Sequence, residues 1–205
     1  MSIVTYNNRS IINISAIPGA AKSLTHIKTL TASSSANLSF VNGSSDVVLD
    51  STYPIYLFKF IGIHPATDQV QLKAGFRDGS TDYDATKTTT AFYGYHKEDD
   101  SATALSYDTG SDLAQSTGAQ VVLSQMGNDN DQNSSGELFL FNPSSTTFVK
   151  HFLGRASVCM DADAIVDWHV AGYCNVTAAI DAVQFSMSSG NIDAGTIKLY
   201  GLKDS

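Results

Sequence analysis

The side chains of this chain that could do chemistry are its carboxylates, five histidines and two cysteines, and their spacing decides which chemistry is open to them. His26, His64, His96, His151 and His169 form no H-x-H or H-E-x-x-H pair, the spacings that bring two imidazoles to one metal. His151 and His169 stand in strand-like segments beside Phe152 and Trp168, where a histidine ordinarily hydrogen-bonds in or near a core. Glycoside hydrolysis needs two placed carboxylates. Of the two glutamates, Glu98 in "HKEDD" reads as a solvated loop charge, and Glu137, opening "GELFLF", as a solvent-facing strand end. Ser, His and Asp are numerous enough to compose a triad on paper, but no G-x-S-x-G elbow supports one. In "GNDNDQNSSGE" (127–137), Asp129, Asp131 and Asn133 have a D-x-D-x-N spacing that can wrap oxygen ligands round Ca2+. Ser134 stands where that loop requires glycine, and the closing glutamate comes early, so the stretch reads as a polar turn. These patterns lead us to expect no catalytic residue, no metal and no cofactor.

The elements that would hold such residues are written in the rest of the composition. Eighteen of the twenty acids are aspartates, which favour turns and caps over helix interiors. A net charge of −8, with only Arg9, Arg77 and Arg155 as arginines, argues against a nucleic-acid partner. No run has the apolar length of a membrane span, and "MSIVTYNNRSIINIS" lacks the basic and apolar regions of a secretory signal. Cys159 and Cys174 have no C-x-x-C spacing, and Cys174, in "HVAGYC", reads as a buried free thiol.

Alternation is the dominant signal. In "QVQLKAGF", Val70, Leu72, Ala74 and Phe76 share one face. "YPIYLFKFIGI" (53–63) is almost continuously apolar, as in a strand covered on both faces or lying deep in a sandwich. "LTHIKTL", "NLSFV", "TAFYGYH", "QVVLSQ", "GELFLF", "TTFVKHFLG" and "AIVDWHVAGYC" add further strands. "AVQFSMSSGNIDAGTIKLYGL" (182–202) reads as two half-buried strands folded back on each other. The polar stretch "KEDDSATALSYDTGSDLAQSTG" has room for a short helix near Ser111–Gln115. About ten to twelve short strands, with no sustained helical period, predict an all-β, jelly-roll-like antiparallel β-sandwich.

Aromatic side chains are the remaining recognition chemistry, because a flat apolar ring stacks on a sugar face and a phenol adds a polar tip. Trp168, between Val166 and Val170 on one face, belongs to the core. Tyr93 and Tyr95, ahead of a charged loop, are the candidates to face a glycan.

Residues 1–22 differ in pattern from the rest of the chain. Ile11, Ile12, Ile14 and Ile17 have no consistent period, and Pro18-Gly19 marks a turn. The expectation is an extended N-terminal arm whose isoleucines anchor the protein in a neighbour's groove, followed by one sandwich domain over 23–205. The bland alternative makes the arm an edge strand of the sandwich.

The stretches "TYNNRSI", "LTASSSANLSFV", "YPIYLFKFIGIHP", "FNPSSTTFVKHFLG" and "AGYCNVTAAIDAVQFSMSSGNIDAGTIKLYGL" together resemble a family of virion structural proteins from tailed bacteriophages of aquatic bacteria. The most specific piece is "SSGNIDAGTIKLYGL"; the loops at about 78–90 and 98–120 carry little of the resemblance. The resemblance implies a non-enzymatic, assembled role among other capsid or tail proteins, located in the virion and assembled in the host cytoplasm. With no fibre-shaft repeat visible, a capsid decoration (cement) protein comes first and a short tail appendage or tail-fibre component second. A carbohydrate-binding module for a host surface glycan is the competing class. Virion symmetry favours a homo-oligomer, a trimer before a dimer.

Overall fold

The computed structural model describes residues 24–203, and the expected anchor with Ile11, Ile12, Ile14 and Ile17 lies outside the described residues. Its strands are β1 (Leu24–Thr31), β2 (Asn37–Val41), β3 (Ile55–Pro65), β4 (Val70–Arg77), β5 (Lys87–Lys97) and β6 (Thr103–Tyr107). They continue as β7 (Gln120–Met126), β8 (Ser134–Phe141), β9 (Lys150–Met160), β10 (Ala164–Cys174), β11 (Ala182–Met187) and β12 (Ile192–Leu202). No helix occurs among the described residues, and every strand pairing is antiparallel: the protein is all-β.

The strands form two runs. The long run is β1-β12-β3-β8-β9-β10-β5-β6, and the short run is β7-β4-β11-β2. One residue pair, Met126 opposite Met160, joins them through β7 and β9, so the twelve strands make a nearly closed wall. Alternation decides which side is inside. Phe40 of β2 and Phe185 of β11 each meet Phe58 of β3 edge-on at 5.3 Å, and Phe185 also meets Phe60 at 5.2 Å. Further along, Phe76 of β4 stacks on Phe152 of β9 at 4.9 Å. The apolar faces of the two runs thus close on one core, which also holds Val70, Leu72, Ala74 and Trp168.

Segment 53–63 lies deep in this wall with one face inward: Tyr56, Phe58 and Phe60 are buried there, while Ile61 is exposed. Two expectations are corrected. The strands of 182–202 do not pair with each other: β11 lies between β4 and β2, and β12 between β1 and β3. Both bury their apolar faces in the same core from opposite sides, so the turn between them carries the chain across it. The expected helix near Ser111–Gln115 is an irregular segment drawn along β5. The Thr89 amide donates to the Leu113 carbonyl at 2.8 Å, and the Leu113 amide donates to Thr89 Oγ1 at 2.8 Å. At that height β6 no longer covers β5, and its free amides take the passing segment instead.

Candidate functional site

The outer face of the long run carries one continuous cross-strand row. Lys198, Lys59, Glu137, Arg155, His169, Phe92 and Tyr107 stand directly opposite one another, strand after strand, from β12 through β3, β8, β9, β10 and β5 to β6. Opposite charges facing each other across strands attract, as at Lys59–Glu137 and Glu137–Arg155, whereas Lys198 faces the like-charged Lys59. Lys59 Nζ donates to Glu137 Oε2 at 2.6 Å. Arg155 forks onto the next outward residue of β10, Asp167, with Nε donating at 2.9 Å and Nη2 at 2.8 Å. These hydrogen bonds hold the Asp167 carboxyl below the usual carboxylate range, with His169, 3.2 Å away, acting in the same direction against partial burial. His169 in turn lies flat on Phe92, 4.7 Å between ring centroids and 4° apart in plane.

Beside the row lies a shallow groove of about 710 Å³. It exists because the neighbouring outward positions on β8 and β9, Ser135 and Ser157, are short, while Ile61 and Ile165 rise on either side. Its charged end is Lys59, Glu137, Arg155 and Asp167. Each of these carboxylates is already engaged by a cation. Such a surface suits planar stacking and hydrogen bonding; an acid with a raised pKa, as glycosidic protonation requires, is not what the Arg155–Asp167 fork makes.

The inner face of the same run holds a second row, of a kind that strand periodicity alone does not reveal. Cys174 lies directly opposite Lys87 on β5 and Lys150 on β9, and all three are fully buried. Lys150 Nζ donates to the carbonyls of Val176 (2.7 Å), Ser145 (3.3 Å) and Ala178. Lys87 Nζ donates to Ala85 O at 2.6 Å and Thr117 O at 3.4 Å and sits 6.0 Å from the Phe76 ring centroid. Each ammonium therefore ties loop carbonyls to the sheet in place of a carboxylate partner. Burial lowers both lysine pKa values and pushes the Cys174 thiol up to about 12. Both cysteines are free thiols.

Tyr93 and Tyr95 are half-buried and packed against the core, with Tyr93 stacked on Trp168 at 6.0 Å and 13°. The more exposed aromatics of this region are Phe92 and Tyr107, at 41% and 50%. Glu98 is exposed in its turn; Glu137 sits within β8 rather than at a free strand end. In the 127–137 stretch, Gln132 is buried and its Oε1 accepts from the Asp129 amide at 3.2 Å, closing a turn between β7 and β8. His151 lies on the outer face beside Tyr173, so neither strand histidine is in the core.

No protein-family model matches the chain, and no curated protein matches it. A solved structure of a protein of unknown function from Shewanella oneidensis MR-1 is similar at 8% identity and a TM-score of 0.25, with 89% of this chain and 77% of that chain covered. A likeness at that TM-score carries no argument about fold or function.

Proposed function

We propose that this chain is a non-enzymatic structural protein of a tailed-bacteriophage virion, in first place a capsid decoration protein and in second place a short tail appendage. The reading takes its functional content from the sequence resemblance, and the observation that carries its architecture is the strand order. Four strands of the long run lie in the order β1-β12-β3-β8, and the short run, read from its free end, is β2-β11-β4-β7. Two interleaved Greek keys would generate this order, which supports reading the domain as a jelly-roll-like sandwich extended by β9, β10, β5 and β6. That architecture recurs in viral capsid and lectin domains. Because a fold hosts many functions, the strand order supports the scaffold and the resemblance supplies the setting.

In this proposal residues 1–22 are the arm that anchors the sandwich, and the assembled form is a homo-oligomer, a trimer before a dimer. Quantitative mass spectrometry of particles made from the genome that encodes the chain tests it. A copy number that scales with the capsid lattice is expected. A number matching the tail's symmetry moves the protein to the appendage place, and absence from purified particles overturns the proposal.

A further inference from the structure

We propose that the seam between β7 and the β10–β5 pair is a binding pocket for one neutral sugar unit. The short run is only four strands wide, so β10, β5 and β6 extend beyond it, and β7 lies against β10 where the overhang begins. A recess of about 160 Å³ opens there, room for about five waters. That suits one pyranose ring and excludes a longer glycan lying flat.

The lining has the two surfaces a sugar presents. Tyr107, half exposed, supplies an aromatic face for its C–H side, and Tyr93 and Trp168, stacked on each other, form an apolar wall of the recess. Asp108, Ser124 and Gln125 supply acceptors and donors for its hydroxyls. Two observations set this recess apart from an ordinary polar crevice. Trp168 is 1% exposed, yet its Nε1–H has no acceptor among the described residues. A buried indole N–H without a partner is costly, and a hydroxyl in the recess is the kind of group that relieves it. The second is a bulge in β7. Val70 pairs with Met126 and Leu72 with Leu123, so Ser124 and Gln125 together oppose one residue of β4. Successive strand residues normally point to opposite faces. Here both line one recess, and Gln125 takes the left-handed conformation, φ 55°, to allow it. Bulges re-aim side chains in this way beside functional sites.

The charge pattern narrows the ligand. Asp108 is the only charged side chain among the lining residues, so anionic sugars and phosphates are disfavoured while neutral hexoses are accepted. Asp108 is pre-set for this, because Gly110 N and Ser111 Oγ donate to its two oxygens at 2.8 and 3.0 Å. The inference stands on the pocket and does not rest on the virion reading, which the copy-number measurement decides separately.

Trp168 is the sole tryptophan, so intrinsic fluorescence of the full chain reports on this pocket directly. Titrations with glucose, galactose, mannose and N-acetylglucosamine, with N-acetylneuraminic acid as the anionic control, form the test. At least one neutral sugar should give a saturable change, and the anionic control none. Asp108→Asn and Gln125→Gly should each weaken that binding by about tenfold, the loss of one good hydrogen bond. Glycine keeps the left-handed backbone at position 125, so this second variant separates lost recognition from lost folding. Silence with all four neutral sugars, a response to the anionic sugar alone, or binding unchanged in both variants overturns the proposal.

Discussion

Lys87 and Lys150 approach the Cys174 thiol from the two strands that flank it, one lysine directly opposite on each side. Among the described residues neither is paired to a carboxylate; both spend their donors on loop carbonyls. The row is a fastening that joins the ends of β5, β9 and β10 to the loops around them.

Lys150→Met is expected to lower stability by about 2–4 kcal/mol, because the thioether fills similar space but strands the Ser145, Val176 and Ala178 carbonyls without a donor. Urea denaturation measures the change. A loss below about 1 kcal/mol would mean that water replaces the ammonium freely.

The alkaline limb of stability should depend on Cys174. Its thiol is pushed up to about 12 in the fold from a reference value of 9.0. As pH rises past 9, the unfolded chain gives up this proton first, the folded protein holds more protons, and stability falls until about pH 12. Tyr56, raised by burial to about 12 from 10.0, adds a later fall of the same sign. Lys87 and Lys150, lowered from 10.5, act oppositely: in their window the unfolded chain holds the extra proton and stability rises with pH. Cys174→Ala should therefore shift the slope of stability against pH upward between about pH 9 and 12, so that stability falls less or rises more there, whatever the variant's stability at neutral pH. Thermal melts at a series of pH values give that slope, and an unchanged slope contradicts the assignment.

At Gly195, φ is +112°, and an added Cβ would lie 2.6 Å from the Gly62 carbonyl oxygen and 2.7 Å from Ile63 Cα. The obstacle is backbone, at the facing bulges of β3 and β12. Gly195→Ala should cost about 1–3 kcal/mol from the backbone conformation alone. Gly43 also has a positive φ, +76°, but nothing within 4 Å, so Gly43→Asn should be nearly neutral. Parallel melts of the two variants test whether crowding, beyond handedness, sets the cost.

On the proposal that residues 1–22 anchor the chain in a virion, deleting them should leave the melting temperature near that of the full chain and abolish incorporation into particles. Four isoleucines docked in a neighbour could each contribute about 1.5–3 kcal/mol before the cost of ordering the arm. Unfolding of the truncated chain, or its normal incorporation, would falsify the anchor.

Faces were legible in the sequence, and partners were not. Val70, Leu72, Ala74 and Phe76 alternate and are all buried, and Trp168 is in the core as its neighbours imply. The same alternation in 182–202 shows that both strands have an inner side, but it is silent on whether they share a sheet. β6 was hidden inside a polar stretch because neither of its sides is buried: Leu105 is 80% exposed. Lys150 shares the inward phase of Phe152 and Val158, yet a lysine in that phase reads as the strand's solvated end. Its burial depends on the carbonyls of loops remote in sequence. The Arg155–Asp167 fork and the Gln125 bulge depend on register, which no local pattern specifies.

The two hairpins that widen the long run also limit how the chain can change. The β5–β6 excursion and the β9–β10 excursion leave the rest of the sheet at separate points, yet they meet along an uninterrupted ladder from Ala164 opposite Lys97 to Cys174 opposite Lys87. Losing either one would leave the other with a long, bare edge of unpaired amides, open to any passing strand. The two are structurally interdependent, so shortening one uncovers the other. Room for variation lies at the exposed turn Asp99–Ser101 and in the β4–β5 connection at Gly79–Asp82, whereas the Glu98 amide is tied to the Asp163 carbonyl across the seam.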